Sequence, residues 1–125
     1  MEITPVLESA AQLIEAYGNG GFTIAGKRYD GAVMVFAEHT ELLEVTLVEN
    51  LTVKNLEALT TSVPKVEFLL VGTGKLFVPI PSHLKQFLRQ HQISSDAMDT
   101  GAACRTFNIL LAEARRVAAI LFPVV

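Results

Sequence analysis

The first third of the chain alternates apolar and polar residues in the manner of short strands. Phe22 and Ile24 alternate with small or polar neighbours, which is typical of a half-buried strand. Turn residues rich in glycine lie on both sides of this strand, at 18–21 and 26–27, where a positive φ is tolerated at little cost. Residues 21–30 are therefore predicted to form a β-hairpin.

Longer apolar runs and helical spacings follow in the middle of the chain. Three apolar runs predict strands, and they span residues 32–36, 42–48 and 66–71. Apolar residues at helical spacing predict two helices, at 51–61 with Thr52 as N-cap and at 83–92. The connections are a polar loop at 37–40, an extended stretch at 76–80 and a segment at 93–98 that crosses back to the last helix. Because strands alternate with helices after residue 50, we expect a mixed or parallel sheet covered on both faces.

The last fifth of the chain predicts a long amphipathic helix and a buried strand. Asp99 and Thr100 both suit a helix N-cap, and Thr100 is the preferred cap. The apolar face of the helix follows spacings of four and three residues and comprises Ala103, Phe107, Leu110, Ala114 and Val117. An apolar run at 117–122, stopped by Pro123, predicts the strand.

This C-terminal stretch also carries a specific resemblance. It resembles the signature of a family of small proteins of unknown function that includes the mitochondrial complex I assembly factor three and many bacterial and archaeal relatives. The matching residues are Met98, Asp99, Thr100, Ala102, Ala103, Cys104, Arg105, Thr106, Phe107, Asn108, Leu110, Glu113, Arg115, Val117, Ala118 and Ala119. Upstream matches are Tyr17, Gly21, Phe22, Ile24, Gly26, Tyr29, Gly31 and the stretch 70–74.

The resemblance spans roughly residues 14–123 and adds to what the pattern predicts. Residues 12–17 fit a helix or a strand on their own pattern, and the resemblance favours an extended conformation. It also implies a sheet of about five strands. The expected fold is therefore α/β and three-layered, with a mixed β-sheet of about five strands, helices on both faces and an N-terminal β-hairpin.

Composition narrows the classes of protein that fit this fold. The chain has 125 residues, of which 50% are hydrophobic and 18% are charged, so residues 1–125 are predicted to form a single domain with a loosely ordered segment at 1–11. A net charge of −3 argues against a general electrostatic affinity for nucleic acid. No apolar run approaches the roughly 20 residues of a membrane span. The N-terminus lacks the basic region of a signal peptide and the single cysteine fits a reducing compartment, so a soluble, cytoplasmic protein is expected.

A candidate binding groove combines a glycine loop after the strand at 66–71 with polar residues of the last helix. Its predicted residues are Gly72, Thr73, Gly74, Cys104, Arg105 and Asn108. Ligands of open α/β sheets bind at strand carboxyl ends, and backbone N–H groups of a glycine loop can hold a phosphate. The dinucleotide fingerprint requires a glycine where Phe77 stands, so nucleotide binding is expected to be weak or absent. A turn that requires a special φ is the alternative, structural interpretation of the loop.

The helix residues have structural alternatives as well. Cys104 lies beside Arg105 near a helix N-terminus, which can activate a thiol, but it also suits a small buried packing position. Arg105 and Asn108 are three residues apart and could line a groove for an anion or an acidic segment, or could fix the helix to neighbouring loops. Asp99 and Thr100 are interpreted as structural caps. No catalytic residue, metal or cofactor is predicted, because one cysteine and three dispersed histidines provide no ligand pair at i and i+4.

Three functions from different classes follow from these observations. The absence of a recognisable catalytic constellation and the resemblance to an assembly factor favour a non-enzymatic module that binds another protein. A small-molecule site or an enzyme at the Gly72–Gly74 loop near Cys104 and Arg105 is the alternative. Homo-oligomerisation through the hairpin is a third hypothesis.

Overall fold

The computed structural model describes residues 11–125, so all but the last residue of the N-terminal segment 1–11 lies outside the described part. The strands are β1 (Ile14–Gly18), β2 (Gly21–Ile24), β3 (Lys27–Asp30), β4 (Ala32–Val35), β5 (Thr40–Leu43), β6 (Phe68–Gly72), β7 (Ser94–Met98) and β8 (Val117–Leu121). The helices are α1 (Val53–Thr61), α2 (Ser82–Gln90) and α3 (Thr100–Ala112), and a 3₁₀ turn at Val48–Asn50 precedes α1.

The strands form two sheets. The first is a three-stranded antiparallel sheet in the order β1-β2-β3, and the second is a five-stranded sheet in the order β5-β4-β8-β6-β7. In the larger sheet β6 runs parallel to β7 and β8, whereas β4 runs antiparallel to β5 and β8. The predicted α/β fold with a mixed sheet of about five strands is thus confirmed. The predicted hairpin is confirmed as β2–β3, and β1 extends it to three strands.

Tight two-residue turns join the strands of the smaller sheet. Asn19 and Gly20 have φ values of 53° and 79°, and Ala25 and Gly26 have φ values of 50° and 80°. Two successive residues with positive φ form a type I′ turn, whose twist matches that of the flanking strands. A β-bulge between Ile14 and Ala16 shifts the register of β1 against β2. Because of this bulge, Ile14 and Tyr17 pair with Ile24 and Phe22, the core-facing residues of β2.

The larger sheet separates two hydrophobic clusters. Alternate residues of a strand point to opposite faces, and β8 shows this directly. Ala118 and Ile120 belong to the cluster under α1 and α2, which provide Leu56, Leu59, Leu84 and Leu88. Val117, Ala119 and Leu121 belong to the cluster that includes Phe107 of α3 and Phe22 of the smaller sheet. Helices therefore cover both faces, as predicted.

Several predicted boundaries are wrong. The strand predicted at 42–48 is limited to β5, Thr40–Leu43, and the chain then turns into the 3₁₀ segment. Residues 76–80, predicted as an extended connection, have no regular secondary structure. The segment 93–98 is not merely a crossing connection, because Ser94–Met98 forms β7 along the edge of the sheet. Its polar sequence, Ser-Ser-Asp-Ala-Met, has no apolar run, and only its pairing with β6 makes it a strand.

The last helix ends earlier than its predicted apolar face. It stops at Ala112, and Ala114 is exposed with a φ of 59°. Arg115 N–H donates to Leu110 O and Ala114 N–H donates to Leu111 O, both at 3.0 Å, which is the Schellman pattern of a helix C-terminus. Ala114 thus occupies the position that glycine prefers, and Val117 belongs to β8 instead of the helix.

Candidate functional site

The first turn of α3 is anchored by two neighbouring residues with different roles. Asp99 is the N-cap, and its carboxylate accepts a hydrogen bond from Ala102 N–H at 3.0 Å. The preference for Thr100 as the cap is therefore wrong. Thr100 is the first helical residue and is fully buried; its hydroxyl donates to Phe122 O at 2.6 Å and accepts from Gly74 N–H at 2.8 Å. One hydroxyl thus joins the helix to the glycine loop and to the end of β8.

The glycine loop uses its polar groups inside the fold. Thr73 N–H donates to Met98 O at 2.9 Å, and Gly74 N–H donates to Thr100 as described. The Thr73 hydroxyl donates to Leu76 O at 2.6 Å and accepts from Val78 N–H at 3.1 Å. A phosphate-binding loop needs N–H groups that are free to point at the ligand. The N–H groups of Thr73 and Gly74 are already bonded, which favours the structural interpretation of this loop.

Glycines allow the close approach of α3 to its neighbours. A Cβ at Gly72 would lie 2.9 Å from Leu121 Cδ2 and 3.0 Å from Thr100 Cα, both buried in the fold. A Cβ at Gly101 would collide with Tyr17 Oη, the tip of a partly exposed side chain. Tyr17 therefore lies over the first turn of α3. Gly72 is needed because buried atoms of β8 and α3 surround it, whereas the nearest neighbour of Gly101 is the end of a partly exposed side chain that can move.

Cys104 faces the hydrophobic cluster beneath α3. Its side chain is buried, and this burial raises the pKa of the thiol to about 12 despite the opposing effect of the Arg105 charge. The thiolate, which is the nucleophilic form, is therefore scarce at neutral pH. This environment supports the packing role of Cys104 over the reactive one.

Asn108 connects α3 to the first strand. Its side-chain oxygen accepts from Ile14 N–H and its side-chain nitrogen donates to Ile14 O, each at 2.9 Å. The amide thereby takes the place of a neighbouring strand at this point of the β1 edge. The two residues are 94 positions apart in sequence, so no local pattern could have indicated this pairing.

A cavity of about 310 Å³ lies between β1 and α3. Its lining residues are Ile14, Glu15, Ala16, Tyr17, Cys104, Arg105 and Asn108. The structure therefore brings together three of the six residues predicted for the groove, and the Gly72–Gly74 loop does not line this cavity. Arg105 is exposed and forms no ion pair with another residue in the range 11–125. Among the described residues, the cavity thus places the Arg105 guanidinium, the Glu15 carboxylate and the Asn108 amide beside apolar side chains.

Three exposed apolar side chains belong to segments on either side of the contact between the glycine loop and the first turn of α3. Leu76 and Phe77 follow the glycine loop and are 75% and 62% exposed. Tyr17, which is 43% exposed, lies over the nearby first turn of α3. We call these three residues the apolar end. Sequence reasoning missed this surface, because its members are far apart in the chain. Leu76 and Phe77 follow Gly74, which bonds to Thr100, whereas Tyr17 meets Gly101.

The described part of the chain offers no site of two other kinds. Within residues 11–125, no three His, Cys, Asp or Glu side chains group closely enough to hold a metal ion. None of the helices in the same range has the length and apolar character needed to cross a membrane.

Comparison with known proteins gives related chains with the same fold. The sequence pattern of the family described as "Protein of unknown function (DUF498/DUF598)" matches residues 14–122. The chain is 32% identical over 110 residues to NADH dehydrogenase (ubiquinone) 1 alpha subcomplex assembly factor 3 of Xenopus tropicalis, covering 88% of this chain and 60% of that protein. It is 34% identical over 110 residues to an uncharacterized protein of Rhodobacter capsulatus, covering 88% and 83% of the two chains.

A solved structure extends these similarities to three dimensions. The crystal structure of an outer membrane protein from Bartonella henselae is 38% identical, superimposes with a TM-score of 0.85 and covers 94% of this chain and 98% of that chain. The chain spans about 60% of the length of the Xenopus assembly factor. The similarity to that factor therefore concerns the domain described above.

Proposed function

We propose a function from one premise: the chain belongs to the DUF498/DUF598 family of proteins of unknown function, whose pattern matches residues 14–122. This membership confirms the resemblance found in the C-terminal motif, and relatives in curated collections carry the name of a complex I assembly factor. The proposed role is that of a non-enzymatic module that binds another protein, as an assembly factor does. The observation that carries the proposal is the exposed pair Leu76 and Phe77 on an anchored loop.

The loop that presents this pair is held in place before any partner arrives. The Thr73 hydroxyl bonds to Leu76 O and to Val78 N–H, on both sides of Phe77. Ordering a flexible loop on binding costs conformational entropy, and a preformed loop avoids part of that cost. Exposed aromatic and aliphatic anchors on a rigid frame are typical of the centre of a protein interface. The geometry therefore favours protein recognition at the apolar end.

The environment of the only cysteine supports a role without covalent chemistry. Cys104 is buried with its pKa raised, and no histidine lines the cavity beside it. Nucleophilic catalysis requires a thiol that a base or a cation activates. The proposal therefore assigns Cys104 to packing.

The test is capture of a partner from native extract by the tagged chain. We expect one or more proteins to co-purify with the wild type at near-stoichiometric amounts and to be lost with the double variant Leu76→Ser, Phe77→Ser. Leu47→Ser is the matched control, because it also removes an exposed leucine, 51% exposed, from a different loop. Equal capture by wild type and double variant, or capture of nothing by wild type, contradicts the proposal. Thermal unfolding of each variant verifies that folding is intact.

A second candidate function is the binding of a small anion in the cavity beside Arg105. It is favoured by the Arg105 guanidinium, which lines the roughly 310 Å³ space and forms no ion pair with a residue in the range 11–125. Thermal unfolding with small mono- and dicarboxylates distinguishes it from the first proposal. A shift of several degrees for wild type that is lost in Arg105→Ala but kept in Arg115→Ala would favour this candidate. Absence of any shift would exclude it for these ligands.

Two finer features complete the proposal. We propose that the chain acts in the cytoplasm, consistent with a single buried thiol that forms no disulfide, and cell fractionation tests this location. We also propose that any self-association uses the β2–β3 hairpin. Light scattering over a range of concentrations tests the oligomeric state, and a mass equal to the monomer throughout would contradict self-association.

A further inference from the structure

Within the described part of the chain, the edge strand β7 has backbone hydrogen-bonding groups that no neighbouring strand pairs with. Among the strands in residues 11–125, β7 is the last of the larger sheet and pairs with β6 alone. Ser94 N–H donates to Glu67 O at 3.0 Å, and Met98 O accepts from Thr73 N–H at 2.9 Å, so these backbone groups face β6. Because successive residues of a strand alternate in direction, the N–H and C=O groups of Ser95 and Ala97 face away from the sheet.

Two cations lie beside this open edge. A groove of about 340 Å³ runs between the C-terminal half of α2 and the start of β7, and its lining residues are Lys85, Arg89, Gln92, Ile93, Ser94 and Ser95. Lys85 and Arg89 are four residues apart on α2 and share one helix face. Neither of them forms an ion pair with an acidic residue in the range 11–125.

We propose that the outer edge of β7 binds an extended acidic segment of a partner protein, which adds a strand to the sheet. The backbone of Ser95 and Ala97 would bond to the segment, and carboxylates at alternate positions of the segment would meet Lys85 and Arg89. This inference rests on the proposed protein-binding role. It assigns a second binding surface, the β7 edge, in addition to the apolar end, and it names an acidic segment as the partner. Strand addition of this kind gains affinity from main-chain bonds and specificity from alternate side chains.

The alternation of side chains along β7 sets the pattern of the partner. Ala97 packs against the cluster under α2, whereas Met98 packs against the cluster under α3. An added strand would likewise direct every second side chain toward α2. Carboxylates are therefore expected at every second position of the segment, on the face that meets the two cations.

The charges argue against a second copy of the chain as the occupant. A two-fold axis that paired two β7 edges would place the two α2 helices on the same face of the continuous sheet. Lys85 and Arg89 of one copy would then approach the same cations of the other. Like charges in close opposition are unfavourable, whereas a segment with carboxylates neutralises them.

The test uses the full chain and a short synthetic peptide in which glutamate alternates with valine. Fluorescence anisotropy measures binding, and amide hydrogen exchange followed by NMR reports on Ser95 and Ala97. We expect the peptide to bind and to slow exchange at these two amides. Lys85→Glu with Arg89→Glu is expected to weaken binding about tenfold or more, since two attractive charge pairs become repulsive. Lys54→Glu, a matched reversal of an exposed charge on α1, is expected to leave binding unchanged.

Two peptide controls separate strand addition from simple charge attraction. A peptide with lysine in place of glutamate is expected not to bind. A glutamate peptide N-methylated on every backbone nitrogen keeps its charges but loses all of its backbone donors, and it is also expected not to bind. Equal binding of either control overturns the proposal, and so does failure of the glutamate peptide to bind, which would leave Lys85 and Arg89 as charges that only protect an edge.

Variant behaviour distinguishes this inference from the proposed function. The double variant at Leu76 and Phe77 is expected to bind the peptide like wild type, because the glycine loop and the groove have no residue in common. Lys85→Gln with Arg89→Gln, which removes charge without adding repulsion, replaces the reversal if the latter fails to fold. Peptide binding without partner capture contradicts the proposed function alone. Partner capture without peptide binding contradicts the β7 inference alone.

Discussion

Replacement of Thr100 by valine tests how the glycine loop, α3 and the end of β8 are held together. Valine has nearly the same shape as threonine but lacks the hydroxyl. In the wild type this buried hydroxyl donates a hydrogen bond to Phe122 O at 2.6 Å and accepts one from Gly74 N–H at 2.8 Å. Thr100→Val would leave both backbone groups buried without this partner. A buried group that loses its partner costs about 1–3 kcal/mol, so we expect a loss of about 3 kcal/mol in the free energy of unfolding.

Urea denaturation followed by circular dichroism measures this loss. A lower midpoint with an unchanged slope reports stability alone. Thr106→Val is the matched control on the same helix, because the one hydrogen bond of the Thr106 hydroxyl within residues 11–125 is the long contact with Met98 Sδ, at 3.7 Å. That substitution is expected to cost less than about 1 kcal/mol. Thr100→Ser keeps the hydroxyl, so its loss of stability is expected to lie between those of Thr100→Val and Thr106→Val.

Two results would refute the reasoning about Thr100. One is a cost for Thr100→Val no larger than that for Thr106→Val. The other is a cost for Thr100→Ser equal to that for Thr100→Val, which would assign the effect to the methyl group. Either result would mean that the hydroxyl does not anchor the three segments.

The remaining predictions concern glycine positions and the buried thiol. Gly72→Ala is expected to lose about 1–3 kcal/mol of stability, because the added Cβ meets packed atoms. Gly101→Ala is expected to lose less, because the Tyr17 side chain can move away. Chemical denaturation compares the two variants, and equal losses of stability would contradict the packing described. Ala114→Gly is expected to raise stability by about 0.5–1 kcal/mol, since φ is 59° there, and an unchanged melting temperature would argue against strain. Burial raises the pKa of Cys104 to about 12, so the folded state keeps a proton that the unfolded state loses. Stability should therefore fall as pH rises from about 9 toward 12, by at most about 1.4 kcal/mol per unit, and this slope should be absent in Cys104→Ala; identical pH profiles would contradict it.

Local patterns predicted the elements whose signals lie within a few residues. The turn at Asn19-Gly20 lies within the predicted turn 18–21, and the strand β8 follows from an apolar run ended by Pro123. The second turn is at Ala25-Gly26, one residue before the predicted 26–27, because Ala25 adopts the positive φ and Lys27 already belongs to β3. The capping of α1 by Thr52 is likewise local, because its hydroxyl accepts from Asn55 N–H.

The features that could not be predicted from local sequence patterns depend on pairing between residues far apart in the chain. β7 is polar along its length and is a strand only because β6 offers a partner, so no periodicity marked it. Thr100 was a reasonable N-cap by residue type, but its hydroxyl instead bonds to Phe122 O, which lies 22 positions away. Long-range hydrogen bonds also explain why the residues of the predicted groove do not form one site. Gly74 N–H donates to Thr100, whereas the Asn108 side chain accepts from Ile14 N–H in a different part of the fold.

Photo-crosslinking from the apolar end tests the central claim, that the chain acts by binding a protein at this surface. A benzophenone side chain at position 77 replaces an aromatic ring that is 62% exposed, and the same group at position 54 on α1 serves as the control. In native extract, irradiation is expected to produce a discrete adduct of higher mass from position 77 and none from position 54. No adduct from position 77, or the same adducts from both positions, would contradict the claim.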